Sequence, residues 1–157
     1  MDKVDYQIIK ALMENGRMTW AELASNIDLS SPAVKERVLK LSEAGVIKEF
    51  GVIVDHEKVG TECTAFVLVT LEKPTYRHSF LQLVNNLEEV QECHHIAGED
   101  DYLLKIRCRN TKELDRVISF EIKGLEGIVK TKTTIVMNTE KETVKIPIQH
   151  DYFGKKD

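Results

Sequence analysis

The sequence has few cysteines, prolines and tryptophans: its 157 residues include three cysteines, three prolines and one tryptophan. The cysteines, Cys63, Cys93 and Cys108, are odd in number and far apart in the sequence. None forms a Cys-x-x-Cys pair, so zinc knuckles and thioredoxin-type chemistry have no support. Because free cysteine usually behaves as a small buried hydrophobe, we expect three reduced, structural thiols.

Long apolar runs are also absent, and none approaches the roughly 20 residues that a membrane helix needs. The first ten residues carry two aspartates and two lysines and are helically periodic, unlike a secretory signal, so we expect a cytoplasmic protein that does not bind membranes. Hydrophobic residues make up 42% of the chain and charged residues 31%, which is typical of a globular protein with one ordinary domain or two small ones.

The sequence lacks a Gly-x-Ser-x-Gly elbow, a phosphate-binding loop and a dinucleotide fingerprint. The carboxylate pairs 88–89 and 100–101 each lie within one local segment, so they do not converge from different elements. His94 and His95 are adjacent on a predicted strand, where neighbouring side chains point to opposite faces and cannot easily share an ion. We therefore predict no catalytic site and no metal site.

The net charge of −4 does not indicate nucleic-acid binding by itself, but the charge is unevenly distributed. Residues 30–48 contain four basic and two acidic side chains, a local net charge of +2. A local basic surface matters more for phosphate contact than the global charge does.

Two helices are predicted at the start of the chain. Apolar residues at helical spacing predict the first over residues 5–14. Thr19, followed three residues later by Glu22, forms a capping box that predicts a second helix over 20–27.

A tight turn over 28–31 separates this helix from a third. Ser31 is the expected cap of the third helix, and Pro32 suits its first helical position. The apolar stripe at positions 34, 38 and 41 faces inward, which leaves a charged opposite face. A helix–turn–helix places such a helix in the DNA major groove, so the segment predicts DNA binding. Residues 46–54 then predict two short strands, the hairpin of a wing.

The second half of the chain has a different pattern. We predict strands over 64–72, 90–97, 102–108 and 129–138, with helices over 76–87 and from Thr111 to Gly124. This order is that of the ferredoxin-like split βαβ arrangement, so the predicted fold class is α+β: a winged helix–turn–helix followed by a βαββαβ sandwich.

The predicted strands are apolar on both faces, whereas the two helices cover only one face of the sheet. We therefore predict that a second subunit covers the other face, sheet against sheet. A further strand-like piece, Val144–Gln149, is a candidate for pairing across that interface. The predicted domains are residues 1–55, a linker over 56–63, and the sandwich over 64–157.

Four sequence pieces together match a known family. They are D-x-x-I-I-x-x-L from Asp5, S-P-A-V-K-E-R-V-x-K-L from Ser31, G-V-I from Gly45, and A-G-E-D-D-Y-L-L-K from Ala97. With these pieces in this order, the chain resembles the Lrp/AsnC transcription regulators over nearly its whole length. The resemblance implies a DNA-binding homodimer that assembles to an octamer, around which DNA can wrap.

The resemblance also implies an amino-acid effector held between dimers, with no other cofactor. The carried-over binding turn is Gly98, Glu99, Asp100 and Asp101, faced by a strand that contributes Thr131, Thr133, Thr134 and Ile135. An aspartate could pair with the ammonium of an amino acid, and glycine lets backbone N–H groups approach its carboxylate.

On the DNA side, Ser30, Ser31 and Ala33 are expected to set the position in the groove, with Lys48 on the wing. Arg37 either reads a base or braces the helix through an ion pair. The candidates for base reading are Lys35, Glu36, Arg37 and Lys40.

The predicted function is a sequence-specific transcription regulator of double-stranded DNA that responds to an amino acid. One alternative is an architectural DNA-wrapping protein without an effector. A second is an enzyme or metabolic binding module whose N-terminal half serves only as a dimer arm. The helix over residues 31–41 argues against the second alternative.

Overall fold

The computed structural model describes residues 1–148, which form two compact units. The first comprises residues 1–53 together with 141–148, and the second comprises Val54–Glu140. The tail from Lys141 thus groups with the N-terminal unit, although it was predicted to belong to the sandwich. Lys145 Nζ lies 2.7 Å from Glu14 Oε2, which accounts for part of this grouping.

The first unit contains three helices: α1 (Lys3–Glu14), α2 (Trp20–Asn26) and α3 (Ser31–Glu43). Both of the first two helices begin with a capping box, Asp2 with Asp5 and Thr19 with Glu22. Each box satisfies two N–H groups that a helix start leaves unpaired. The helices pack around fully buried residues contributed by all three, namely Ile8, Leu23 and Val34.

The turn between α2 and α3 depends on a left-handed residue, Asp28, at φ 53°. Aspartate tolerates this conformation better than most residues with a side chain. The cap of α3 is Ser30, not the expected Ser31, because the Ser30 side chain accepts from the backbone N–H of Ala33. Ser31 is the first helical residue and Pro32 the second.

The predicted wing strands over 46–54 are wrong for the part of the chain that the structure describes, since this segment contains no strand. The backbone N–H groups of Val46 and Ile47 both donate to Leu41 and close the end of α3. The apolar side chains beyond them have little to pack against: Val52 is 87% exposed and Ile53 77%. A two-stranded hairpin without such packing is marginal in water.

The second unit is a four-stranded antiparallel sheet with two helices. Its elements are β1 (Cys63–Leu71), α4 (Arg77–Asn86), β2 (Val90–His95), β3 (Tyr102–Cys108), α5 (Thr111–Arg116) and β4 (Ile128–Ile135). A 3₁₀ turn precedes α4, and a π-helical turn over Val117–Ile122 continues α5. The strand order β2-β3-β1-β4 confirms the ferredoxin-like prediction.

One face of the sheet and the helices form the core of this unit. Alternate residues of β1 and β3, such as Val67 and Leu104, are fully buried with Phe80 of α4. Phe66 and Leu68 of β1 alternate with these buried residues, and Phe66 remains 38% exposed. The other face is therefore partly apolar and incompletely covered within one chain.

The predicted strand-like piece Val144–Gln149 is not a strand over residues 144–148, and Gln149 lies outside the described residues. Val144 and Ile146 are 73% and 62% exposed. Apolar alternation alone does not form a strand where no neighbouring strand accepts its hydrogen bonds.

Candidate nucleic-acid interface and effector site

The outward face of α3 carries three of the predicted DNA contacts. Lys35, Glu36 and Lys40 are all exposed, and Lys40 Nζ lies 2.7 Å from Glu36 Oε1, one helical turn away. The Lys40 ammonium holds the pKa of the Glu36 carboxyl below its usual value. Among the described residues, Lys35 makes no ion pair, so its charge is available to a phosphate or a base.

Arg37 occupies a different environment from its neighbours. Its Nη1 lies 2.8 Å from Asp2 Oδ2 and 2.7 Å from Asp5 Oδ1, so both carboxylates of the α1 cap hold it. These hydrogen bonds, first that to Asp2, raise the pKa of the guanidinium. The ion pair that one of the two alternatives for Arg37 predicts is thus present, and it joins α3 to α1.

The start of α3 brings three other predicted contacts together. Ser30 is exposed, and Ser31 and Ala33 are half-buried on the first turn. Backbone N–H groups at a helix start favour negative charge, which suits a DNA phosphate. Lys48 is exposed in the irregular segment after α3 and does not lie on a wing strand.

The predicted effector turn is anchored to the end of β1 by its two aspartates. Thr70 Oγ1 donates to Asp100 Oδ1 at 2.7 Å, and the backbone N–H of Leu71 donates to Asp101 Oδ2 at 2.7 Å. Lys130 Nζ of β4 lies 3.8 Å from Asp100. One oxygen of each aspartate thus accepts a hydrogen bond from β1. Lys130, which the sequence did not indicate, lies beside the turn.

Of the facing threonines, Thr133 and Thr134 lie toward the other end of β4, whereas Thr131 pairs with Val69 near the turn. Thr133 pairs with Val67 and Thr134 with Phe66, whereas Lys130 pairs with Thr70 beside the turn. Three residues along a strand correspond to about 10 Å. Within one chain, the turn 98–101 and residues 133–135 are therefore not brought together.

A groove of about 430 Å³ lies next to the turn-proximal end of β4, lined by Lys123, Ile128, Val129, Lys130 and Thr131. Neither lysine was among the predicted site residues. The signal that could have found Lys130 is its register with Thr70, which requires the β1–β4 pairing to be known first.

The predicted histidine arrangement is present in the structure. His94 Nε2 lies 3.0 Å from Glu92, whereas the His95 ring stacks against Tyr102 with centroids 5.1 Å apart. Across residues 1–148, no three histidine, cysteine or acidic side chains converge on a point where an ion could sit. The helices in this range are all too short or too polar to cross a bilayer.

Comparison with known proteins gives a consistent result for both units. Residues 1–48 match a winged helix-turn-helix DNA-binding model, and residues 64–146 match the Lrp/AsnC ligand binding domain. The transcriptional regulator AzlB of Bacillus subtilis is 38% identical over 94% of this chain and 96% of its own. The leucine-responsive regulatory protein of Haemophilus influenzae is 32% identical over 91% of this chain and 87% of its own.

Solved structures agree with the sequence relatives. The regulator NMB0573 of Neisseria meningitidis, solved as a complex with L-Met, superposes with a TM-score of 0.90 at 27% identity and covers 96% of this chain and 98% of its own. Escherichia coli AsnC superposes with a TM-score of 0.85 at 28% identity, covering 94% of this chain and 99% of its own. These relatives are regulators and not enzymes, and the chain belongs to the Lrp/AsnC family of DNA-binding transcriptional regulators.

Proposed function

We propose that this regulator contacts DNA through the first turn and outward face of α3, and that an amino acid bound near the turn 98–101 controls its assembly in the cytoplasm. The proposed DNA contact rests on the arrangement of the basic side chains of α3. Arg37 is held inward by α1, while Lys35 and Lys40 face outward. The proposed contact residues are Ser30, Ser31, Ala33, Lys35, Glu36, Lys40 and Lys48.

Fluorescence anisotropy tests the DNA part, using the full chain on its own upstream region and on a shuffled duplex. We expect tighter binding to the upstream region. Lys35→Ala should weaken binding and reduce the slope of log K against log salt by about 1, because one phosphate contact is lost. Lys112→Ala, on α5 of the other unit, is the matched control and should leave the slope unchanged. A slope unaltered by Lys35→Ala contradicts this contact.

The effector part rests on the groups around Asp100. Asp100 Oδ1 is engaged by Thr70 and lies 3.8 Å from the Lys130 ammonium. The second oxygen of Asp100 can accept from the ammonium of an amino acid, and Lys130 can pair with its carboxylate. The complex of the Neisseria meningitidis relative with L-Met supports an amino acid as the ligand class.

Isothermal titration with single amino acids tests the effector part, and the DNA titrations are repeated with each amino acid. We expect one or a few to bind and to shift DNA affinity. Asp100→Asn should abolish that binding, whereas Glu88→Gln, on an exposed site elsewhere, should not. If no amino acid binds and both duplexes bind equally, the architectural DNA-wrapping alternative replaces this proposal.

We further propose that the chain is an obligate dimer that assembles to an octamer. The partly apolar sheet face around Phe66 and the exposed segment 50–54 support this, because a stable monomer rarely leaves such surfaces open. An effector that binds one assembly more tightly shifts the balance between them. Sedimentation velocity checks this: Phe66→Asp should give monomers, and Lys112→Asp, on the helix side of the sheet, should not.

A further inference from the structure

Two of the three cysteines face each other across a pair of neighbouring strands. Cys63 is the first residue of β1 and Cys108 the last residue of β3, and the antiparallel register places them directly opposite. Both thiols are free and belong to the core of the second unit. The sequence placed them 45 positions apart, so their pairing appears only with the sheet.

The spacing of this pair suits a covalent bond. Residues directly opposite in antiparallel strands have Cα atoms about 4.5–5.5 Å apart, which lies inside the roughly 4.4–6.8 Å range of disulfides. Cys108 Sγ lies 3.7 Å from the carbonyl oxygen of Cys63. Burial, and then the neighbouring Cys63 thiol, raise the pKa of Cys108 to about 12, which is consistent with two thiols in direct proximity.

The third cysteine cannot join this pair in the folded protein. Cys93 of β2 pairs with Leu104, four residues before Cys108 along β3. That separation is about 13 Å along the strand, well beyond disulfide range. Cys93 is nevertheless less buried than the other two. The extent to which Cys93 is modified therefore shows whether an oxidant has reacted with the protein.

We propose that Cys63 and Cys108 are a modification site, which a small peroxide such as hydrogen peroxide converts to an intramolecular disulfide. Cys63 is 7% exposed and Cys108 1%, so Cys63 meets the oxidant first. Its thiolate attacks one peroxide oxygen, the O–O bond breaks, and a sulfenic acid and water form. The Cys108 sulfur then attacks the Cys63 sulfur and expels a second water. Two thiols and one peroxide thus give one disulfide and two waters.

The bond joins β1 to β3 where the connecting residues 54–62 enter the sheet. The first residues of β1 can no longer separate from β3 once it forms. Because the Cys108 thiol is buried and mostly protonated at neutral pH, the second step is slow. The disulfide therefore forms during sustained exposure to peroxide. A small oxidant forms it more readily than a bulky disulfide reagent does.

Peptide mapping of the full chain tests this. The protein is treated with hydrogen peroxide in native buffer, alkylated and digested without reductant, and a parallel sample is treated in concentrated urea. We expect a linked peptide containing Cys63 and Cys108, 2 Da lighter than its two reduced component peptides together, and an alkylated or singly oxidised Cys93. Dithiothreitol should reverse the linkage. In urea, where the register is lost, linkages that include Cys93 should also appear.

Three variants complete the test, and the wild-type map does not depend on their folding. Cys93→Ser should retain the linked peptide, whereas Cys63→Ala and Cys108→Ala should each abolish it. Amide hydrogen exchange at the start of β1 should slow in the oxidised protein and recover after reduction. The proposal is overturned if native wild-type protein reaches full modification of Cys93 without the 63–108 linkage, or if sulfinic acids form at both core cysteines instead.

Discussion

Arg37 of α3 and Asp5 of α1 are joined by a hydrogen bond of 2.7 Å, in which the guanidinium Nη1 donates to the Oδ1 of a carboxylate whose side chain is only 14% exposed. Asp5 also completes the capping box of its own helix by accepting from the backbone N–H of Asp2. One carboxylate therefore starts α1 and fixes the position of α3 relative to it.

Replacing Arg37 by methionine should destabilise the first unit without removing a DNA contact of its own. The variant loses both carboxylate partners, so the unfolding midpoint of this unit should fall. Fluorescence of Trp20, the only tryptophan, reports this unit selectively. Lys35→Met is the matched control: its midpoint should stay at the wild-type value while its DNA affinity falls. Equal midpoints for the two variants would contradict a bracing role.

Stability of the first unit should depend on pH through Asp2. The backbone N–H of Asp5, and then the Arg37 guanidinium, lower the pKa of the Asp2 carboxyl. A carboxyl with a lowered folded-state pKa adds stability above its unfolded value of about 3.9, and that stability is lost as the pH falls through the folded-state value.

Urea unfolding of wild type and Asp2→Asn, followed by Trp20 fluorescence from pH 7 to pH 2.5, measures this contribution. We expect the wild type to be the more stable at neutral pH and the difference to shrink as the pH falls below about 3.9. Glu49→Gln controls for the loss of one exposed carboxylate. A difference that stays constant over the whole range contradicts the linkage.

Ser30 and Ser31 should respond differently to alanine. The Ser30 hydroxyl accepts from Ala33 N–H, whereas Ser31 lies inside the helix. Losing a helix cap costs about 0.5–2 kcal/mol, so Ser30→Ala should lower the unfolding free energy by that amount and Ser31→Ala by much less. Urea unfolding at neutral pH distinguishes the two variants. A larger loss of unfolding free energy for Ser31→Ala than for Ser30→Ala would indicate that Ser31 is the cap.

Gly124 should not tolerate alanine, whereas Gly98 should. A Cβ on Gly124 would lie 2.1 Å from the backbone oxygen of Phe120 in the π-helical turn, whereas no atom of residues 1–148 lies within 4 Å of a Cβ on Gly98. Forcing extra volume into a packed site costs about 1–3 kcal/mol. Circular-dichroism melts should therefore show a loss for Gly124→Ala and none for Gly98→Ala. Gly98→Ala then allows the proposed effector turn to be altered without unfolding the sheet.

The sequence was sufficient for those parts of the fold that follow from local patterns. Strand β3 has the predicted bounds Tyr102–Cys108, and the predicted capping box of Thr19 and Glu22 starts α2. The prediction of wing strands over 46–54 was wrong because alternation of apolar residues does not supply a surface for them to pack against. Sequence periodicity indicates which residues favour burial, but a neighbouring element must supply the surface that buries them.

The site was less predictable because it depends on register and on partners. The inward pairing of Arg37 requires the N-terminus of α1 to lie beside α3, which is a contact over 32 positions. The proximity of Lys130 to Asp100 and of Cys63 to Cys108 follows from the order of strands in the sheet. None of these pairs has a signal in its local sequence.

The exposed apolar segment that includes Val52 and Ile53 also bears on the lifetime of the protein. An extended, apolar, unpaired backbone is the form in which chaperones and proteases engage a chain, and cells continuously remove molecules that present it. If copies of the chain associate through this segment, as proposed above, the association would shield it from that removal. Under that proposal, the cellular level of the regulator would depend on its own concentration as well as on its rate of synthesis.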